Sequence, residues 1–194
     1  FDDWCNIIKT FGFNKTTNVD LPGEFKGIIP DRKYMNNKYS SRGWGKGSLL
    51  NFVLGQGEVI TTPIQIIQMI NIIANNGSTY RPHLNLETKL EEFNVKINTN
   101  TWDFLQKALW RVVNEDGGTG KSARITSGGV VYGKTGTVQN PPYESHAWFA
   151  GYILKDNGDI LTLALIIENG GKGSVTAAPI AKKIFNNNLS YYFK

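Results

Sequence analysis

The chain has 194 residues, a length that suits one domain, or one domain and part of another. Hydrophobic residues make up 40% of it and charged residues 19%, so the composition supports a buried core and excludes an intrinsically disordered chain. The net charge of +5 fits an anionic substrate or surface, but no Lys and Arg stripe interleaved with aromatic residues indicates a nucleic-acid partner.

Two histidines and one cysteine lie far apart in the sequence, so we expect no metal site, and no pattern indicates a cofactor. The single cysteine, Cys5, excludes an internal disulfide. No apolar run reaches the roughly 18 residues that span a bilayer. The chain starts without a methionine, inside a predicted helix, and we therefore expect it to be part of a longer protein.

The first part of the chain is predicted to be helix and loop. Phe1 to Phe11 has the spacing of an amphipathic helix, which Gly12 ends. Residues 13–48 are rich in Gly, Asn, Lys and Ser without a sustained period, and are predicted to form a long ordered excursion.

Two longer helices follow. In Thr62 to Ala74, Thr62 can cap the helix, Pro63 suits its first position, Gln65 completes a capping box, and Gly77 supplies the stop. Trp102 to Asn114 places its large apolar residues on one face at helical spacing.

The last part of the chain predicts an antiparallel sheet. Strands begin at Val130 to Tyr132 and continue at His146 to Leu154 and Ile160 to Glu168, with an Asn-Gly hairpin between the last two. A helix is predicted from Ala178 to Asn186. Strands joined by short turns and then covered by a helix indicate the α+β class.

The sequence "GTGKS", Gly118 to Ser122, looks like the end of a phosphate-binding loop. That motif needs a glycine five residues before Gly120, where this chain has Glu115. We therefore predict a turn that ends the preceding helix, not a nucleotide site.

The sequence "KTGT", residues 134–137, is the strongest candidate site. Thr135 and Thr137 fall on one face of a strand and could both donate to one carboxylate. Gly136 leaves room for another backbone, Lys134 could hold a positive charge beside a nucleophile, and an edge N–H could bind an oxyanion. A strand end with a solvated lysine is the plain structural alternative.

Four other segments share a family pattern with this one. Lys-Thr-Gly is the third signature of the penicillin-recognising serine enzymes. The chain resembles the class B penicillin-binding proteins, and its elongation-type branch (penicillin-binding protein 2) most, in the segments "FGFNKTTNVDLPGE", "LGQGEVITTPIQIIQMINIIANNG", "VVNEDGGTGKS" and "SHAWFAGYI".

The resemblance implies the penicillin-binding and β-lactamase-like transpeptidase fold, an antiparallel sheet flanked by helices. Residues 1–194 are expected to be the C-terminal part of one transpeptidase domain, with mainly helices and loops in 1–120 and the sheet strands and last helix in 121–194. The nucleophile helix and the first strands would be missing from it.

The resemblance also implies a D,D-transpeptidase that cross-links peptidoglycan stem peptides by serine acyl transfer and that β-lactams acylate. Carried over by position, Lys134 is catalytic and bonds the serine of the second family motif. Thr135, Gly136 and Thr137 bind substrate, and the N–H of Thr137 forms half of an oxyanion hole.

One departure from the family is serious: no serine here has lysine three residues on or asparagine two residues on. The nucleophile is therefore expected upstream, and the chain alone is expected to be inactive. The resemblance also implies a membrane anchor in the missing N-terminal part and a membrane glycan polymerase as partner. It places the protein on the outer (periplasmic) face of the cytoplasmic membrane. A non-catalytic β-lactam sensor or scaffold of the same fold is the alternative, and a β-lactamase a weaker one.

His146 is interpreted as structural in preference to a general base, because it opens a strand beside Ala147 and Trp148. The glycine-rich segment Gly170 to Gly173 is predicted to be a flexible turn near the cleft.

Overall fold

The computed structural model describes residues 1–191; the last three residues of the predicted domain, 192–194, lie outside that range. Its helices are α1 (Asp2–Thr10), α2 (Arg32–Lys38), α3 (Lys46–Val53), α4 (Pro63–Ala74), α5 (Thr99–Asn114) and α6 (Ala177–Tyr191). Its strands are β1 (Ser78–Tyr80), β2 (Glu92–Asn94), β3 (Gly129–Asn140), β4 (Tyr143–Lys155) and β5 (Ile160–Ile167). None of the helices in residues 1–191 is long and apolar enough to cross a membrane.

The main sheet is antiparallel, in the order β3-β4-β5. Its register places Gly136 opposite Trp148 on β4, and Ala150 of β4 opposite Ala164 on β5. The predicted hairpin between β4 and β5 is confirmed: the N–H of Lys155 donates to the carbonyl of Asp159 at 2.9 Å. All three predicted strands are therefore present, and β3 and β4 are longer than the pattern indicated.

One face of the sheet carries the core that supports β3. Val131 of β3 and Phe149 and Ile153 of β4 are buried there against α6, where the Phe149 and Phe185 rings meet edge to face with centroids 6.4 Å apart. Helix α6 approaches closely because it contributes small buried residues, Ala177, Ala178 and Ala181. The site strand therefore rests on a rigid, closely packed layer.

Helix α4 is the centre of a second core. The capping box predicted for it is present, with Thr62 Oγ1 accepting from the N–H of Gln65 and the Gln65 side chain accepting from the N–H of Thr62. Ile72 and Ile73 are buried among residues of α1, α5 and β2, and α4 also packs on β4 and β5. The sheet is thus flanked by helices, as the fold class predicted.

The predicted excursion over residues 13–48 contains structure that the pattern did not show. It includes α2, which Asp31 caps by accepting from the N–H of Tyr34 at 2.9 Å, and the start of α3. These helices are about two turns long, which is too short for a period to be recognised. The two-stranded sheet β1-β2 was likewise not predicted, because its strands have three residues each.

Helix α5 begins at Thr99, three residues before its predicted start. Asn98 caps it by accepting from the N–H of Asn100 at 3.0 Å. The predicted end at Asn114 is correct.

Asp20 and Glu24, the two acidic residues of the segment "VDLPGE" (Val19 to Glu24), hold the predicted excursion in place by hydrogen bonds. The Asp20 carboxylate accepts from the N–H groups of Leu84 and Asn85 in the β1-β2 loop and from Thr88 Oγ1. Glu24 accepts from the N–H and hydroxyl of Thr17. These hydrogen bonds explain why a segment with little regular structure is nevertheless well defined.

Candidate active site at the free edge of strand β3

Strand β3 borders the sheet, and in residues 1–191 only β4 pairs with it. The carbonyl of Val131 accepts from Asn114 Nδ2 at 2.9 Å, and the carbonyl of Thr135 accepts from Lys134 Nζ at 2.6 Å. Side chains, and not strand β4, thus bind these two carbonyls, which shows that they point to the unpaired side of β3. In an antiparallel strand the N–H and C=O of one residue point to the same side, and the side alternates along the chain. The N–H of Thr137, two residues after Thr135, therefore belongs to the free edge.

Lys134 is exposed and lies at this edge. One of the three N–H donors of its ammonium group is used on the Thr135 carbonyl. The predicted cationic group therefore stands beside the edge that a substrate would approach.

Thr135 is buried, with 8% of its surface exposed, and its hydroxyl has a partner from outside the strand. Its Oγ1 lies 2.8 Å from Oγ1 of Thr119. Thr119 belongs to the Gly-Gly-Thr turn after α5, in which the N–H of Gly120 donates to the carbonyl of Val112 at 2.9 Å. The glycines of "GTGKS" therefore form a helix-ending turn, as predicted, and its last two residues begin a single 3-10 turn, Lys121–Ala123.

That turn needs its glycine at 118. A Cβ atom on Gly118 would lie 2.2 Å from the carbonyl oxygen of Val112. The close approach of the turn to the end of α5 is what carries Thr119 to Thr135.

Thr137 is exposed, and its Oγ1 accepts from the N–H of Gly173 at 3.2 Å. Gly173 lies in the glycine-rich turn between β5 and α6. The turn that we predicted to be flexible is held at several points: the N–H of Gly171 donates to the carbonyl of Ser145 at 2.8 Å, and Thr176 Oγ1 donates to the carbonyl of Gly170 at 2.6 Å.

Gly136 was predicted to let another backbone come close to the strand. The backbone of Gly173 does approach it, but the missing side chain that this approach requires is that of Gly173, not that of Gly136. A Cβ atom built on Gly173 would lie 2.2 Å from the Gly136 carbonyl oxygen. A Cβ atom on Gly136 itself would lie 3.1 Å from Cβ of its cross-strand partner Trp148.

The strand pair beneath the site is reinforced by stacked tyrosines. Tyr132 and Tyr152 are cross-strand partners whose rings are nearly parallel, with centroids 4.7 Å apart. The pKa of the Tyr152 phenol is raised, mainly because the ring is buried and to a smaller extent because Tyr132 is close. The phenol therefore stays neutral at physiological pH.

His146 is placed as a structural residue. Its Nδ1 accepts from the N–H of Asn169 at 3.0 Å, so the proton of the neutral ring lies on Nε2. This bond fixes the start of the glycine-rich turn on β4. In the described part of the chain no three His, Cys, Asp or Glu side chains are grouped to hold a metal ion.

Sequence reasoning identified the residues on β3 but missed their two partners, Thr119 and Gly173. The segment containing Thr119 was noted as part of the family pattern, without a role. Thr119 and Thr135 are 16 positions apart in sequence, and Thr137 and Gly173 are 36 apart. A local sequence pattern cannot indicate contacts between residues so far apart.

Comparison with known proteins agrees with this architecture. The penicillin binding protein transpeptidase domain matches residues 2–186. The peptidoglycan D,D-transpeptidase MrdA of Haemophilus influenzae is 32% identical over 217 residues, which cover 98% of this chain and 32% of that protein.

Solved structures show the same fold. Penicillin-binding protein 2 (PBP2) of Pseudomonas aeruginosa, in complex with WCK 5153, superposes with a TM-score of 0.81 at 31% identity, covering 98% of this chain and 44% of the other. PBP2 of Helicobacter pylori, in complex with MreC, has a TM-score of 0.80 at 25% identity, covering 96% and 36%.

The chain spans about a third of the length of the curated relatives it matches. The match of the domain over nearly all described residues, the PBP2 relatives and the Lys-Thr-Gly edge agree with one another. The chain therefore belongs to the penicillin-binding protein transpeptidase family, and PBP2 proteins are among its relatives there.

Proposed function

We propose that this chain is the Lys-Thr-Gly-bearing part of a peptidoglycan D,D-transpeptidase that works by serine acyl transfer. The observation that carries the proposal is the free edge of β3. There, a lysine ammonium, two threonine hydroxyls with partners of their own and an outward N–H group lie within four consecutive residues.

Each group suits one part of a D-Ala-D-Ala substrate. The hydroxyls of Thr135 and Thr137 donate to its terminal carboxylate, and Gly136 between them leaves the opposite face of the strand without a side chain. The N–H of Thr137 donates to the oxygen of the scissile carbonyl. Such a donor is worth about 3 kcal/mol once that oxygen carries negative charge in the transition state.

The nucleophile comes from a segment outside this chain, because no serine here has the family spacing. The serine oxygen bonds to the carbonyl carbon of the penultimate D-Ala and gives up its proton. The C–N bond then breaks, and terminal D-Ala leaves as an amine with a proton. Lys134 bonds the second-motif serine and assists this proton movement. An amine of another stem peptide then attacks the ester carbonyl carbon. The new amide C–N bond forms, the ester C–O bond breaks, and a proton from the amine returns to the serine oxygen.

Turnover on a D-Ala-D-Ala stem peptide, with an amine acceptor present, tests the reaction in the parent polypeptide that contains this chain. Release of D-Ala and formation of the cross-linked peptide are expected, with large losses in Thr137→Val. Stable acylation by benzylpenicillin without any peptide turnover would instead make the domain a β-lactam sensor or scaffold.

The same proposal extends to location and partners. Peptidoglycan is outside the cytoplasmic membrane, so the domain works on the outer face of that membrane, attached by an anchor in the parent polypeptide. A membrane glycan polymerase that supplies new strands is the proposed partner. The PBP2 of H. pylori was solved in complex with MreC, so a protein related to MreC is a second proposed partner. Protease accessibility of the domain in spheroplasts, and co-purification from crosslinked membranes, test these two points.

A further inference from the structure

The hydroxyls of Thr135 and Thr137, which are proposed to bind the substrate carboxylate, form what we call the carboxylate pocket. The turn between β5 and α6 contacts this pocket, and the proposed reaction gives that contact no role. The N–H of Gly173 donates to Thr137 Oγ1 at 3.2 Å. A threonine hydroxyl has one proton to donate and two lone pairs that accept. An N–H pointing at its oxygen occupies a lone pair, so the hydroxyl proton must point elsewhere. It is then available to an incoming acceptor.

The position of Gly173 is set by its lack of a side chain. A Cβ atom there would lie 2.2 Å from the Gly136 carbonyl oxygen and 2.5 Å from that of Trp148. Both are backbone atoms of paired strands and cannot move aside cheaply. Any residue other than glycine would therefore push this amide away from Thr137.

The direction of the amide is also fixed from both sides. The N–H of Ala178, at the start of α6, donates to the carbonyl of Gly173 at 2.9 Å. On the other side, the N–H of Gly171 is tied to β4 through Ser145. The turn thus holds its donor in one orientation relative to β3.

We propose that Gly173 is a positioning residue of the carboxylate pocket, whose backbone N–H orients the Thr137 hydroxyl to donate to the substrate carboxylate. The inference rests on the proposed function, because it gives a role to the same pocket. Gly173 itself does not touch substrate. It acts on one of two hydroxyls, since Thr135 is held by Thr119 instead.

Kinetics of acylation in the parent polypeptide test this role. Gly173→Ala is compared with Thr137→Val and with the double variant, using benzylpenicillin and its methyl ester, which lacks the carboxylate. Lys172→Ala is the matched control, because it changes an exposed neighbouring side chain and leaves the backbone of the turn in place. Thermal unfolding of each variant reports whether it is folded.

A hydrogen-bond loss predicts that Gly173→Ala slows acylation by benzylpenicillin about three- to tenfold. The effect should fall below about twofold with the methyl ester, and also when Gly173→Ala is added to Thr137→Val, because residues that act through one another are not additive. Lys172→Ala should acylate like the parent.

Equal losses with both compounds, or in both backgrounds, would overturn the positioning role and leave the proposed function intact, since the parent would still acylate. A parent that benzylpenicillin does not acylate would overturn both. If Gly173→Ala does not fold, Thr176→Val replaces it. That variant removes the 2.6 Å bond that holds the same turn, and the same comparisons decide.

Discussion

The hydroxyl oxygens of Thr119 and Thr135 lie 2.8 Å apart, and they join the turn after α5 to the middle of the site strand. Thr135 is nearly buried, so its hydroxyl has few other partners to choose from. Either hydroxyl can be the donor of this bond, and the proposed carboxylate pocket requires that Thr119 donates, which leaves the proton of Thr135 for the substrate.

Replacing Thr119 by Val should weaken the carboxylate pocket. The loss of one hydrogen bond of about 1 kcal/mol predicts a roughly fivefold slower acylation by benzylpenicillin. Thr119→Ser keeps the hydroxyl and should acylate within about twofold of the parent. Equal acylation rates for Thr119→Ser and Thr119→Val would show that the Thr119 hydroxyl has no part in positioning Thr135.

Loss of the α4 cap should destabilise the domain by a modest, defined amount. Thr62→Ala removes the side-chain acceptor of the capping box and should lower the free energy of unfolding by about 1 kcal/mol. Thr62→Ser retains the acceptor and should stay within about 0.5 kcal/mol of the parent. Denaturant unfolding measures both, and a serine variant as unstable as the alanine variant would contradict the capping account.

The core under β3 should be sensitive to the size of Phe149. This residue is fully buried and meets Phe185, so Phe149→Ala should cost about 3–5 kcal/mol of unfolding free energy. Val175→Ala, at a residue that is 69% exposed, is the control and should change it by less than about 0.5 kcal/mol. A cost below 1 kcal/mol at Phe149 would show that the sheet and α6 are not packed as described.

Acid should release the β1-β2 loop from Asp20. Hydrogen bonds from the N–H groups of Asn85 and Leu84 lower the pKa of this carboxyl below its ordinary 3.8. Because the pKa is lower in the folded state, these hydrogen bonds stabilise the fold at pH values above the ordinary pKa of the carboxyl. This stabilisation is lost as the pH falls through the lowered pKa of the folded state.

Hydrogen exchange of the Leu84 and Asn85 amides, corrected for intrinsic rates, measures this release. Both should be protected near neutral pH and lose protection at low pH or in Asp20→Asn, whose amide is a weaker acceptor. Asp156→Asn, on the exposed β4-β5 turn, serves as the comparison and should leave both amides protected. Unchanged exchange in Asp20→Asn would refute the anchoring role.

The sequence was most informative where a signal is local. Helix α4 has its cap, proline and stop within a short segment, and the β4-β5 hairpin has Asn157 and Gly158 between two apolar strands, so both were predicted correctly. The four site residues on β3 were found because they are contiguous. Their roles came from the family resemblance and stay predictions.

What could not be predicted depends on contacts between distant segments. Asp20 lies in the predicted excursion, where no pattern indicates a partner, yet its carboxylate anchors a loop 64 residues away. Gly173 reads as a flexible position, but the close approach of Gly136 and Trp148 gives it a fixed one. Short elements such as α2 and β1 have too few residues to show a periodicity of their own.

The most direct test of the central claim is the intact mass of the parent polypeptide after exposure to benzylpenicillin. The account predicts one covalently bound penicillin, on a serine outside this chain, formed much more slowly in Lys134→Ala. Lys107→Ala, which removes an exposed lysine from α5, should acylate at the parent rate. Absence of any adduct on the folded parent, or equal rates in Lys134→Ala and the parent, would contradict the claim that the β3 edge serves an acylating site.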